Sequence, residues 1–186
     1  MNTTRRAAAL VLLAASSNAL AEDRKPGATP ARPTPSKELA AFMKPLEGTW
    51  NCDGNVPAGA FGRGLPASHN SGGIKFEKNY DGFFYRGEYE MNGVELPVEL
   101  PMKGEIVLGW DARAQQVLVW HFNGNGTTNF STGKPQGNTL VTLGELGNNM
   151  KTRETHIVKS DKAHFHKFEL DLGKGWVPIV EHHCTR

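Results

Sequence analysis

From residue 49 onward, short apolar runs alternate with turn residues rich in glycine and asparagine. This pattern is typical of consecutive β-strands joined by turns. It predicts ten strands, over residues 49–54, 72–79, 83–91, 103–110, 116–122, 128–132, 138–146, 150–158, 163–171 and 175–184. Most of the connections are too short for a crossover, so sequential strands should be antiparallel neighbours.

One short helix is predicted just before the first strand. Ser36 can cap it, Leu39, Phe42 and Met43 share one face, and Pro45 would end it. The whole pattern predicts an all-β protein, an antiparallel up-and-down β-barrel of about 8–10 strands with a short N-terminal helix. A two-sheet sandwich is the alternative architecture.

Two segments interrupt the regular strand pattern. Pro178 lies inside the last strand and cannot donate a hydrogen bond to a ladder, so we expect a bulge or a gap there. Residues 94–101 include Pro97 and Pro101 on either side of an apolar stretch, and we expect a loop over one mouth of the barrel.

The first 21 residues have the features of an export signal. Arg5 and Arg6 precede a run of nine apolar residues, and the segment ends in the small-x-small triplet 19–21. Nine helical residues cannot cross a bilayer core of about 30 Å, so no membrane span is expected. The sequence predicts a signal peptide over 1–21, with a periplasmic or secreted mature protein.

The next segment, 22–37, has four prolines and almost no large apolar side chain. It predicts a mobile leader, because such a segment cannot bury a core. Residues 38–186 then suit a single barrel domain.

Charge removes nucleic acids from the expected partners. The chain has a formal net charge of +2, but Arg5 and Arg6 account for it, and residues 38–186 carry 15 basic and 17 acidic side chains. A domain this balanced lacks the basic surface that binds a phosphate backbone. The sequence leaves the oligomeric state open.

The two cysteines, Cys52 and Cys184, lie near opposite ends of the predicted domain. In an oxidising compartment such a pair predicts one structural disulfide. It would close a ring of 133 residues, worth about 5 kcal/mol in the chain-entropy model. The bond would also require the first and last strands to be neighbours.

The residues Gly48-Thr49-Trp50, which follow the predicted helix and open the first strand, resemble the Gly-x-Trp start of lipocalins and other calycins. In lipocalins a basic residue from the end of the barrel commonly stacks on this tryptophan. Arg153 and Arg186 are both candidates for that contact here.

The wider sequence, over residues 38–186, resembles a bacterial family of exported calycin-like domains of unknown function. The matching pieces are residues 48–52, 82–89, 108–111, 131–133 and 151–153. The resemblance implies a barrel with an internal cavity.

Five of the seven histidines lie in the last 31 residues, whereas His69 and His121 stand apart. His164 and His166 share a strand face with Phe168, and we expect that face to point into the barrel.

Hairpin turns near residues 160–161 and 173 would set His164 opposite both His156 and His182. Three imidazoles in a row across neighbouring strands are a candidate site for a divalent metal or a haem iron. The alternative is two solvent-facing histidines and one or two in the core, since a one-residue slip in register turns a strand's side chains to the opposite face.

Six aromatic residues on the predicted strands are candidates for lining a cavity: Trp50, Phe84, Trp110, Trp120, Phe122 and Trp176. Plain core filling is the alternative. Because a barrel of eight or more strands is wide enough for a small ligand, we expect the protein to bind a small, largely apolar molecule, with no cofactor.

Motifs for nucleophilic or nucleotide chemistry are absent from the sequence. Glu77, Glu88 or Glu90 beside Tyr85 or Tyr89 could act as a general base, although solvent-facing carboxylates are the alternative. No catalytic residue is therefore predicted. The competing interpretations are a metal- or haem-dependent enzyme that uses the histidines and a structural envelope module with a filled barrel.

Overall fold

A computed structural model describes residues 33–60, 63–92, 102–146 and 150–186. A short helix, α1 (Lys37–Met43), precedes ten strands: β1 (Gly48–Val56), β2 (Ser68–Asn79), β3 (Phe84–Asn92), β4 (Met102–Asp111), β5 (Gln116–Asn123), β6 (Thr128–Gln136), β7 (Thr139–Leu146), β8 (Met150–Ser160), β9 (Ala163–Asp171) and β10 (Trp176–Thr185). Each strand pairs antiparallel with the next along the chain, and β10 pairs with β1. The result is a closed up-and-down barrel.

The predicted fold class is therefore confirmed, and the sandwich alternative is wrong. The main boundary differences are in β2 and β6, which extend beyond the predicted segments because their turn-like residues pair with β1 and β7. Tertiary pairing overrides weak local preference there.

The helix packs where β1 begins. The Ser36 hydroxyl accepts a hydrogen bond from the Leu39 amide at 3.1 Å, and the apolar face of α1 is buried. Trp50 is fully buried, and its indole nitrogen donates to the Leu46 carbonyl at 2.8 Å. Of the two arginine candidates, Arg186 lies over the Trp50 ring, 4.4 Å from its centroid.

A disulfide joins β1 to β10 at the point where the barrel closes. Cys52 and Cys184 are direct partners in the strand register, and their sulfurs are bonded. The predicted disulfide and the predicted contact between the first and last strands are both confirmed.

Two irregularities interrupt the pairing of the last three strands. The β9–β10 register shifts between Pro178 and Val180, as the proline predicted. The β8–β9 register shifts between Val158 and Ser160. Both shifts affect which histidines face each other.

Several predictions fall on residues that the structure does not describe. They are the signal peptide, most of the leader and the loop over residues 94–101. Within the described ranges, no helix has the length and hydropathy needed to cross a membrane.

Candidate functional site

A cavity of about 210 Å³ lies inside the barrel. Its apolar lining comes from aliphatic, methionine and phenylalanine side chains: Ile74, Met91, Met102, Ile106, Leu146, Phe168, Ile179 and Val180. Its polar lining includes Tyr89, His121, Asn123, Asn129, Glu154, His156, His164, His166 and His182. A largely apolar cavity with a few convergent polar groups is the usual form of a small-molecule site.

The six aromatic residues predicted to line a cavity lie elsewhere. On β5 the inward positions hold Val117, Val119 and His121, so Trp120 and Phe122 point outward, and Trp120 packs on another aromatic ring of the outer surface. The same alternation turns Phe84 outward on β3.

The other three aromatic residues have separate positions. Trp50 lies in the core near α1, and Trp110 packs against the core from a partly buried position. Trp176 is partly buried beneath the guanidinium of Arg153, at 4.6 Å. Among the described residues, the cavity lining thus includes none of the six.

Glu154 is the centre of the polar wall. It lies on β8, and only 2% of its surface is exposed. Its Oε2 is 2.8 Å from Nε2 of His121, and its Oε1 is 2.8 Å from Nε2 of His166 and 3.2 Å from Nε2 of His156. Three imidazoles from β5, β8 and β9 therefore converge on one carboxylate.

A line of hydrogen bonds extends from this carboxylate to β2. Nδ1 of His166 is 3.2 Å from Nδ1 of His182, whose Nε2 is 3.1 Å from the amide nitrogen of Asn70. Because that amide nitrogen can only donate, His182 accepts at Nε2 and donates from Nδ1 to His166. His166 then donates from Nε2 to Glu154, so neutral rings connect Asn70 to the carboxylate.

Room for this line depends on Gly54 of β1. Gly54 is the register partner of both Asn70 and His182. A β-carbon at this position would overlap the His182 ring and the Asn70 amide. The glycine therefore lets two buried polar side chains meet inside the barrel.

The charges of the cluster are set by burial and by the neighbouring groups. Burial alone would raise the pKa of Glu154, but His121 and His156 hold it well below its usual value. Burial lowers the pKa of His121, and Glu154 more than reverses this, so the net pKa is raised. Near neutral pH, Glu154 is therefore a buried carboxylate whose partner His121 is biased toward the charged form.

The imidazoles of His166, His182 and His164 are instead biased toward the neutral form. Burial lowers the pKa of His166, with only partial reversal by Glu154. Burial also lowers the pKa of His182 and of His164 to about 3 each. The same effect, with the charge of Glu154, raises the pKa of Tyr89 to about 12.

The structure changes the predicted histidine row. His166, rather than His164, lies opposite both His156 and His182. The register differs by two residues from that of the simple hairpins, which preserves the inward face. His164 instead lies opposite Cys184, with its ring edge-on to Trp50 at 4.7 Å between centroids.

Sequence reasoning missed Glu154, Asn70 and the role of His121. Glu154 is two residues before His156, so strand alternation alone would have placed it on the same face. His121 reaches the cluster across the interior from β5, a contact that no local pattern indicates. The carboxylates considered instead, Glu77, Glu88 and Glu90, are all exposed.

Among the residues that the structure describes, two groups of side chains have donor atoms close enough to suggest a metal site. One is Glu154, His156 and His166, whose donor atoms lie within 4.8 Å of one another. The other is His164 with Cys52 and Cys184, but those sulfurs are bonded to each other and offer no thiolate.

No protein-family model and no curated protein match the sequence. Among solved structures, the chain is similar to an S-type phycobiliprotein lyase from Guillardia theta. The two share 13% sequence identity with a TM-score of 0.48, and the match covers 80% of this chain and 92% of that chain.

Proposed function

We propose that the protein binds a small, largely apolar molecule inside the barrel. The observation that carries this proposal is the cavity of about 210 Å³ with its mainly apolar lining. A dry cavity of about 150 Å³ accommodates benzene, so a molecule slightly larger than one aromatic ring would fit.

The polar wall adds a preference for one kind of functional group. The Glu154 carboxylate is buried next to the cavity, and an ionised acceptor forms stronger hydrogen bonds than a neutral one. A ligand with a hydroxyl or amine at one end and an apolar body could bond to this wall and fill the aliphatic side. A carboxylate ligand would instead meet the negative charge of Glu154.

Binding of p-cresol to the mature protein tests the proposal, because this phenol has the expected size and polarity. Isothermal titration calorimetry should show saturable binding of one molecule per chain. Replacing Met102, which lines the cavity, with tryptophan should weaken binding by on the order of tenfold or more, since the larger side chain fills the available volume.

The control is Leu143→Trp, because Leu143 is 55% exposed on the outer surface of β7. This variant should bind p-cresol like the wild-type protein. The absence of saturable binding, or equal affinity in the Met102→Trp protein, would contradict the proposal.

We also propose that the protein is exported and that residues 1–21 are removed. The Cys52–Cys184 disulfide supports this proposal, because such bonds persist mainly in oxidising compartments. Intact-mass measurement of protein from a periplasmic fraction should give a chain that begins at Glu22 and contains one oxidised cysteine pair. A reduced chain that retains residues 1–21 would contradict it.

A further inference from the structure

We propose that Glu154, His121, His156 and His166 form a binding site for one divalent transition-metal ion, with at least one coordination position facing the cavity. This inference goes beyond the binding of an apolar molecule. It concerns a different ligand class, and it shares the Glu154 carboxylate with the ligand-binding proposal.

The distances in the cluster are close to those of a coordination shell. First-row metals bind imidazole nitrogen and carboxylate oxygen at about 2.0–2.2 Å, which places neighbouring donors roughly 3–3.5 Å apart. The nitrogens of His121, His156 and His166 lie 2.8, 3.2 and 2.8 Å from the nearest oxygen of Glu154. The donor atoms of Glu154, His156 and His166 already lie within 4.8 Å of one another, so small side-chain rotations would bring them around one ion. His121 lies outside this group, on the other carboxylate oxygen, and would complete the site by a further movement toward the ion.

The types of donor narrow the choice of metal. Three imidazoles and one carboxylate suit Zn²⁺, Co²⁺, Ni²⁺, Cu²⁺ or Fe²⁺, whereas Mg²⁺ and Ca²⁺ prefer sites built from oxygen. The donors come from β5, β8 and β9, and all four residues line the same cavity. A ligand in the cavity could thus reach the ion from the side that the protein does not occupy.

The hydrogen bonds made by the second ring nitrogen of His166 support a metal site. A metal-binding histidine almost always uses its second ring nitrogen in another hydrogen bond, which fixes the ring. Here that nitrogen of His166 faces His182, and His182 is bonded in turn to Asn70. All three side chains lie inside the barrel, where the glycine at position 54 provides the room.

The hydrogen bonds from His166 through His182 to Asn70 can also form when a metal is bound. Each donor then becomes an acceptor, and each acceptor a donor. With Nε2 of His166 on the ion, the proton lies on Nδ1 and is donated to His182. His182 then donates from Nε2, and the Asn70 amide can present its oxygen, which has no hydrogen-bond partner in the described structure. Rotation of the Asn70 amide exchanges its donor nitrogen and its acceptor oxygen, so this side chain can bond to His182 in either arrangement.

A purely structural network explains the cluster less well. The cluster buries a carboxylate that is only 2% exposed together with three imidazoles. Apolar side chains of similar size would also stabilise a barrel core at least as well as a buried ionised cluster.

Titration of the chelator-treated mature protein with Co²⁺ tests the proposal through the visible ligand-field spectrum of the bound ion. We expect one Co²⁺ per chain, displacement by Zn²⁺, and no competition from millimolar Mg²⁺ or Ca²⁺. Glu154→Gln should weaken Co²⁺ binding by about 100-fold or more. His182→Gln should weaken it by about 10–100-fold, as expected for a residue that positions a ligand.

The matched control is His183→Gln, because His183 lies next to His182 on β10 but is exposed. This variant should bind Co²⁺ with wild-type affinity. If Glu154→Gln does not fold, His156→Gln provides the same comparison, and the ¹⁵N shifts of His166 in the wild-type protein should report the tautomer change when Zn²⁺ is added.

Two results would overturn the proposal. One is the absence of stoichiometric Co²⁺ and Zn²⁺ binding to the wild-type protein. The other is an equal loss of binding in the His183→Gln and His156→Gln proteins. Because p-cresol binding is measured without metal, either result leaves the ligand-binding proposal to be judged separately.

Discussion

Gly54 shows how a single backbone position determines the interior of this barrel. It is paired with Asn70 on one side and His182 on the other, and a β-carbon there would meet both side chains and the Glu181 carbonyl. Glycine is needed at position 54 because side chains of the two neighbouring strands approach its backbone closely. This differs from the common use of glycine in turns.

Replacing Gly54 with alanine should therefore destabilise the protein by about 1–3 kcal/mol, as expected for overpacking. Urea denaturation measures this change. The control is Gly73→Ala, because a β-carbon at Gly73 would lie 3.4 Å from the Trp50 carbonyl oxygen, within ordinary contact. Equal stability of the two variants would show that His182 and Asn70 do not need this space.

At the scale of elements, the outer face of β8 and β9 has an ion pair that complements the inner cluster. Glu169 is 3% exposed and accepts hydrogen bonds from Arg153 at 2.7 and 2.9 Å, with Lys167 at 3.1 Å. Arg153 in turn lies over the Trp176 ring of β10. These contacts connect three neighbouring strands on the side opposite the cavity.

This ion pair predicts a component of acid sensitivity. The Arg153 hydrogen bonds lower the pKa of Glu169 below its usual 4.5. The stabilisation is therefore fully present above about pH 5 and is lost as the pH falls through the lower folded-state pKa. In Glu169→Gln this component should disappear, and the variant should be about 1–3 kcal/mol less stable at pH 7.

Denaturation curves measured from pH 7 to pH 3 check this prediction. The stability difference between the wild-type and Glu169→Gln proteins should shrink as the pH falls below 5. The exposed Glu145→Gln substitution is the control, and its difference from wild type should stay small throughout. A Glu169→Gln difference that does not depend on pH would contradict the assigned role.

The strands show which features the sequence could predict. Turn residues and short apolar runs located all ten strands, and alternation placed His164, His166 and Phe168 on an inward face. Register was harder, because Pro178 indicated a bulge without fixing the resulting pairing. The turn residues likewise indicated the hairpins without fixing their register, and His166, not His164, lies between His156 and His182.

At the scale of the whole molecule, the cysteines and the strand order predicted that the barrel closes between its first and last strands. The sequence did not predict which side chains meet in the interior. Apolarity alone does not distinguish an outward tryptophan such as Trp120 from a core residue. In this barrel aromatic side chains also pair on the outer surface. The contact between His121 and Glu154 crosses the interior between strands that are not neighbours. It depends on the curvature of the complete barrel, which no single segment encodes.

Closure of the barrel between β1 and β10 also bears on self-association. Each of the ten described strands has a hydrogen-bonded neighbour on both sides, so none presents a free edge to which a strand from another molecule could add. The Cys52–Cys184 bond lies at the one junction that joins the two ends of the meander. The cross-link therefore also protects the chain against polymerisation by strand addition, because these two edges cannot separate while it is intact.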